Sequence, residues 1–197
     1  VTIYRNDNGH FTEVTDEAGL NETSGWWNCI HAADVDLDGY PDLICGNLGL
    51  NSMLKASVQE PVEMYLNDFD NNGTADQVIC SFQNGISYPV ASLDELASQI
   101  NIPGNQFESY SDFGGKTARD IFGTNAIDQS IVKRAELFES SIFMNNRDGT
   151  FTRITLPPEA QFSPVRSIIL NDLNKDGRPD MVVAGNNYFE RPSLGRH

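Results

Sequence analysis

The apolar residues of this chain fall in short runs broken by polar, glycine-bearing turns, and few stretches keep a helical period. Leu43-Ile44-Cys45, Gln77-Val78-Ile79 and Met181-Val182-Val183 are aliphatic or β-branched and each directly follows an acidic loop, which predicts strands. Ile3-Tyr4-Arg5-Asn6-Asp7-Asn8-Gly9-His10-Phe11-Thr12 and Ile142-Phe143-Met144-Asn145-Asn146-Arg147-Asp148-Gly149-Thr150-Phe151-Thr152 share one grammar: a strand, an Asn/Asp-Gly turn and a second strand. Helical character is confined to the middle of the chain. Ser92-Leu93-Asp94-Glu95 is a capping-box pattern followed by Leu96, Ala97 and Ile100 on one face. Thr117 to Phe122 predicts a further helical turn, and Ile127 to Phe138 predicts an amphipathic helix. Between the first of these helical stretches and Thr117, the residues Phe107, Tyr110 and Phe113 read as an aromatic loop beside Gly114-Gly115.

Three nonapeptides repeat within this pattern. They are Asp34-Val-Asp36-Leu-Asp38-Gly39-Tyr40-Pro41-Asp42 (loop one), Asp68-Phe-Asp70-Asn-Asn72-Gly73-Thr74-Ala75-Asp76 (loop two) and Asp172-Leu-Asn174-Lys-Asp176-Gly177-Arg178-Pro179-Asp180 (loop three). Oxygen-bearing side chains hold positions 1, 3, 5 and 9 of each, and glycine holds position 6. A hard cation such as calcium takes about six to eight oxygens, and alternate side chains of a tight loop converge on one point. The expected ligands are therefore Asp34, Asp36, Asp38 and Asp42; Asp68, Asp70, Asn72 and Asp76; and Asp172, Asn174, Asp176 and Asp180. Tyr40, Thr74 and Arg178 at position 7 would each add a main-chain carbonyl. An EF-hand starts the same way but needs a glutamate at position 12 and flanking helices. Position 12 here is Cys45, Ile79 or Val183, and Pro41 and Pro179 oppose helix formation, so the loops are expected to sit in β-hairpins.

Charge sharpens this reading. Twenty-eight acidic against thirteen basic residues leave a net charge of −15, which opposes nucleic-acid binding by a basic face. Three bound divalent ions would bring it to about −9, and carboxylates packed three or four to a loop repel one another unless a cation joins them. Sixteen glycines and nine prolines agree with many turns. No apolar run is long enough to cross a bilayer as a helix, and the first residues lack a signal-peptide pattern. Cys29, Cys45 and Cys80 lie in strand-like runs and read as buried thiols, with a Cys29–Cys45 contact across a hairpin as the alternative.

The acidic loops, the two Asn/Asp-Gly hairpins and the Gly46-Asn47 and Gly185-Asn186 pairs together resemble the FG-GAP/VCBS-repeat family of calcium-bearing β-propeller blades, known from integrin α-subunit heads and bacterial surface proteins. The resemblance spans residues 1–82 and 142–190. It implies a mainly β fold of about three blades, a portion of a propeller from a longer chain, since a whole propeller needs more chain than this. Residues 85–140 would be a helical and aromatic insertion between loops two and three, within a partial propeller over 1–197. Such insertions either carry recognition or cover a sheet edge.

Function is expected outside catalysis. His10, His31 and His197 form no ligand spacing, and no nucleophile elbow, zinc-protease motif or phosphate-cradling glycine loop is present. Trp26 and Trp27 are adjacent, so one is expected in the core and the other at the surface, where stacking on a sugar competes with simple packing. The expectation is an extracellular, bacterial cell-surface or periplasmic module that binds a glycan or protein ligand, with calcium as a structural staple. The alternative is part of a carbohydrate-active enzyme of the polysaccharide-lyase or sugar-dehydratase type.

Overall fold

A computed structural model describes residues 1–101, 107 and 109–185. Asn186, the second member of the Gly185-Asn186 pair, and His197 lie outside the described residues. The chain divides into two compact units, one formed by Val1–Leu54 and the segment from Leu137 onward, the other by Lys55–Glu136.

In the first unit, β1 (Tyr4–Asp7) and β2 (His10–Glu13) form the first hairpin, and β3 (Cys29–Ala33) and β4 (Asp42–Gly46) flank loop one. The second unit contributes β5 (Val62–Asn67), β6 (Asp76–Gln83), β7 (Ile86–Pro89), four short helices α1 (Leu93–Gln99), α2 (Tyr110–Phe113), α3 (Ala118–Phe122) and α4 (Thr124–Asp128), and β8 (Ile131–Ala135). The first unit then resumes with β9 (Ser141–Asn145), β10 (Phe151–Thr155), β11 (Ser167–Asn171) and β12 (Asp180–Ala184). All pairings between these strands are antiparallel.

The centre of the first unit is a four-stranded sheet in the order β10-β9-β4-β3. Strands β4 and β9 pair as Leu43↔Phe143, Ile44↔Ile142 and Cys45↔Ser141, although the whole of Lys55–Glu136 lies between them in sequence. Strand β4 is covered on both faces, which explains its unbroken apolar run. Ile44 packs with Leu156, Val165 and Ile168, whereas Cys45 packs with Ala18, Leu20 and Phe143. Gly46 ends the strand where a Cβ would come within 2.4 Å of the Val165 carbonyl oxygen, so only glycine fits there.

Buried polar residues tie the exit from β4 to the entry into β9. Asn47, fully buried, donates from Nδ2 to the Leu137 carbonyl (2.8 Å), and its backbone N–H donates to Ser140 Oγ (3.0 Å). Gln161 Nε2 donates to the Ser140 carbonyl, and Gln161 Oε1 accepts from the Ser140 N–H, each at 2.9 Å. Because these groups satisfy one another away from water, the sheet closes across the long excursion of the chain.

The second unit has its own four-stranded sheet, β7-β6-β5-β8, and a core of Val78, Cys80, Leu96, Ile100, Ala118, Ile121 and Ile127. Ser92 caps α1 in a reciprocal box with Glu95, and Thr117 caps α3 in the same way with Asp120. The expected helix over Ile127–Phe138 does not form. Only its first residues are helical, in α4, and Ile131–Ala135 instead pairs with β5 from Leu66↔Ile131 to Val62↔Ala135. Short apolar runs fit both periods, and the open edge of β5 selects the extended one. Loop two therefore shares a compact unit with the helices.

The three thiols are free. Cys29 stands opposite Gly46 and Cys45 opposite Ile30, so the two cysteines are offset in register and join different apolar clusters. Burial pushes the thiols of Cys45 and Cys80 up to about 12. The two tryptophans divide as expected. Trp27 turns inward, its Nε1 donating to the Thr23 carbonyl and its ring edge-on to Phe143, while Trp26 is more exposed and tilted against Phe138.

Candidate metal centres

Each acidic loop joins two adjacent antiparallel strands: β3 to β4, β5 to β6, and β11 to β12. All three are held by one hydrogen-bond frame. The carboxylate at position 1 accepts from the backbone N–H of positions 5 and 6. In loop one these are Asp38 and Gly39 to Asp34 (2.9 and 2.8 Å), in loop two Asn72 and Gly73 to Asp68 (2.9 and 2.8 Å), and in loop three Asp176 and Gly177 to Asp172 (3.1 and 2.9 Å). The carboxylate at position 9 accepts from the N–H of position 2, pairing Asp42 with Val35, Asp76 with Phe69 and Asp180 with Leu173, each at 2.9 Å. The side chain at position 5 accepts from the N–H of Tyr40, Thr74 or Arg178 at position 7.

Backbone conformation explains the glycine. Position 6 lies at φ of 91° in Gly39, 88° in Gly73 and 86° in Gly177, where a side chain is strained. Position 4 is also left-handed in Leu37, Asn71 and Lys175, at 60° to 63°. This second reversal was not legible from residue type, because leucine and lysine rarely adopt it.

Asp34, Asp36 and Asp42 bring carboxylate oxygens within 4.8 Å of one another, as do Asp68, Asp70 and Asp76. Each set is made of hard oxygen donors without thiol or imidazole, which fits a hard divalent cation better than zinc or copper. Two of the three loops therefore have carboxylate clusters that could hold a metal ion. Loop three has the same frame but does not form such a cluster among the described residues. It has three carboxylates, as loop two has, but position 3, where loops one and two place Asp36 and Asp70, is Asn174, whose amide Nδ2 donates to Asp176 Oδ2 at 3.0 Å.

Four expected ligands have further partners here. Asp38 forms an ion pair with Arg147, the Nε–Oδ2 distance being 2.6 Å, and its carboxyl is held below the usual range first by the Tyr40 N–H and then by that guanidinium. Asn72 accepts from both the N–H and the hydroxyl of Thr74. Asp70 also accepts the Asn101 N–H at 3.0 Å, which ties the chain just after α1 to loop two and lowers the Asp70 pKa. In loop one the position 9 carboxylate, Asp42, is only 2% exposed, and its second oxygen accepts from the Asn145 N–H at 2.8 Å. Asn145 and Arg147 belong to the β9–β10 hairpin. Nothing in their residue types marks them as neighbours of loop one, since the contact depends on the pairing of β4 with β9.

Residues 1–45, which span the first hairpin and loop one, match the family described as FG-GAP-like repeat. This segment is similar to an FG-GAP-like repeat. No curated protein and no solved structure matches the chain. The matched segment ends within β4, after the first acidic loop, so that loop lies inside the family's own repeat. No helix among the described residues is long and apolar enough to cross a membrane.

The different environments of Asp42 and Asp36 separate their expected roles. Asp42→Ala removes the acceptor of two backbone N–H groups at a buried position and is expected to cost about 2–4 kcal/mol even without metal. Asp36 is exposed, so Asp36→Ala should leave metal-free stability within about 0.5 kcal/mol of the parent while removing a metal ligand. Urea unfolding in EDTA checks both, and equal costs for the two substitutions would show that the frame has been misread.

Proposed function

We propose that this chain is a calcium-stabilised module of the β-propeller type that serves binding or adhesion outside the cell. Calcium holds the carboxylates at the strand ends, and the surrounding loops present a surface to a glycan or protein ligand. The observation that carries the reading is the shared frame of the three acidic loops, two of which gather carboxylate oxygens within 4.8 Å, the first of them inside the segment that matches an FG-GAP-like repeat. Calcium is the ion that suits such oxygen-rich, adaptable loops, and millimolar extracellular calcium would fill even weak sites. The remaining blades would come from a longer parent chain.

The ligand surface has a candidate in the first unit. A cleft of about 550 Å³ is lined by Leu50, Thr155, Leu156, Pro158, Gln161 and Phe162, mainly apolar with a few polar groups, which is the usual make-up of a recognition site. No catalytic role is assigned to it.

Two measurements test this reading. Calorimetric titration of EDTA-treated, dialysed protein with calcium is expected to show at least the sites of loops one and two, with magnesium competing poorly because it demands a smaller, regular shell. No heat at millimolar calcium removes the metal part of the reading. Glycan and protein arrays probed with and without EDTA are expected to give calcium-dependent capture that Phe162→Ala weakens. Release of unsaturated sugar from an acidic polysaccharide would instead make the protein an enzyme.

A further inference from the structure

We propose that Arg147 is a built-in counter-cation of loop one, which engages the position 5 carboxylate of the metal-free loop and thereby sets how tightly the loop takes up calcium. The inference rests on the reading of loop one as a cation site.

Among the described residues the arrangement is specific to this loop. The Arg147 side chain, itself exposed, reaches Asp38 Oδ2 at 2.6 Å, and the Asp38 side chain is only 10% exposed. The guanidinium carbon also lies 6.0 Å from the centre of the Tyr40 ring, within range of a cation–π contact. The backbone presents the side chain in a fixed way. Arg147 lies at φ of 68°, and its N–H donates to Asn145 Oδ1 at 2.9 Å. Asn145 in turn grips the loop, its N–H on Asp42 Oδ1 at 2.8 Å and its Nδ2 on the Pro41 carbonyl at 3.1 Å. The β9–β10 hairpin thus holds loop one at positions 5, 8 and 9 together.

Among the described residues, loops two and three lack this device. Position 5 is the neutral Asn72 in loop two, and Asp176 of loop three forms no ion pair among the described residues. Arginine keeps its charge at any physiological pH, so the positive charge at loop one is permanent. It offsets repulsion among Asp34, Asp36, Asp38 and Asp42 when no ion is bound. A calcium ion entering the cluster must either displace the guanidinium from Asp38 or accept one carboxylate fewer, and in both cases it meets a like charge. Loop one is therefore stable without metal at the expense of affinity, and its filling loosens the hold of the hairpin turn.

Terbium, a calcium substitute whose emission is excited through a nearby tyrosine, singles out loop one, because Tyr40 stands at position 7 where the other loops carry Thr74 and Arg178. Tyr40→Phe identifies that part of the signal. Calcium is then titrated against terbium in the full chain. Arg147→Gln is expected to tighten calcium at loop one by about fivefold to tenfold, the size set by a partly exposed unit charge. Arg147→Lys, which keeps the charge and the backbone demand, should stay within about twofold of the parent. Raising the salt should shrink the difference between the Gln variant and the parent, since the guanidinium is exposed. Unchanged or weaker binding in Arg147→Gln overturns the inference, and so does equal tightening in both variants, which would point to hairpin packing rather than charge. If terbium emission does not depend on Tyr40, or calcium fails to displace the ion, the cation reading of loop one falls and the inference with it.

Discussion

Chelation with EDTA is expected to lower the melting temperature by roughly 10 °C or more for each filled acidic loop that has to be emptied. A site occupied at a thousand times its dissociation constant adds about 4.1 kcal/mol to the folded state, provided the unfolded chain does not bind. In a chain of this size about 1 kcal/mol moves the midpoint by about 2–4 °C. The loops meet the condition on the unfolded state, because their oxygens converge only when the backbone frame has formed. That frame includes left-handed residues at positions 4 and 6, which a free chain seldom visits together. Differential scanning calorimetry across a calcium series checks the size, and the shift should follow the logarithm of free calcium. An identical midpoint in EDTA and in millimolar calcium would falsify the structural role of the ion. Asp36→Asn and Asp70→Asn should each remove part of the calcium-dependent shift, since these residues belong to the two carboxylate clusters.

Phe143→Ala is expected to destabilise the first unit by about 3–5 kcal/mol, whereas Tyr4→Ala should cost less than about 1 kcal/mol. The two residues occupy the same place in the repeated hairpin: Tyr4 follows Ile3 as Phe143 follows Ile142. Their surroundings differ completely. Phe143 is fully buried against Ala18, Leu20 and Cys45 and meets the edge of Trp27 at 5.8 Å, while Tyr4 is 57% exposed. Strand β9 is paired on both sides, by β4 and β10, and among the described residues β1 pairs with β2 alone. Removing the Phe143 ring therefore leaves a cavity in a packed sheet, and removing the Tyr4 ring leaves only solvent. Urea unfolding of both variants at fixed calcium decides the matter, and comparable costs would mean that Tyr4 is covered in solution.

The acidic loops were legible in the sequence because the hydrogen bonds of their shared frame all lie within nine residues. Alternating oxygens at positions 1, 3, 5 and 9, a glycine at 6 and a β-branched or aliphatic run afterwards are local instructions, and the three frames follow them alike. The caps at Ser92 and Thr117 and the hairpin turns were readable for the same reason.

Other features depended on partners far away in the chain. Ile127–Phe138 carries a pattern that suits a helix or a strand, and the free edge of β5 made Ile131–Ala135 a strand. Strand β4 gives no sign of which strand it will meet, and burial on both faces brought it to β9 across the whole of Lys55–Glu136. That pairing in turn placed Asn145 on Asp42 and Arg147 on Asp38, so loop one differs from loops two and three in its charge environment although its own nine residues follow the same rule. Short-range hydrogen bonds and backbone preference wrote the frame of each site; long-range strand pairing, driven by burial, chose the neighbours that tune it.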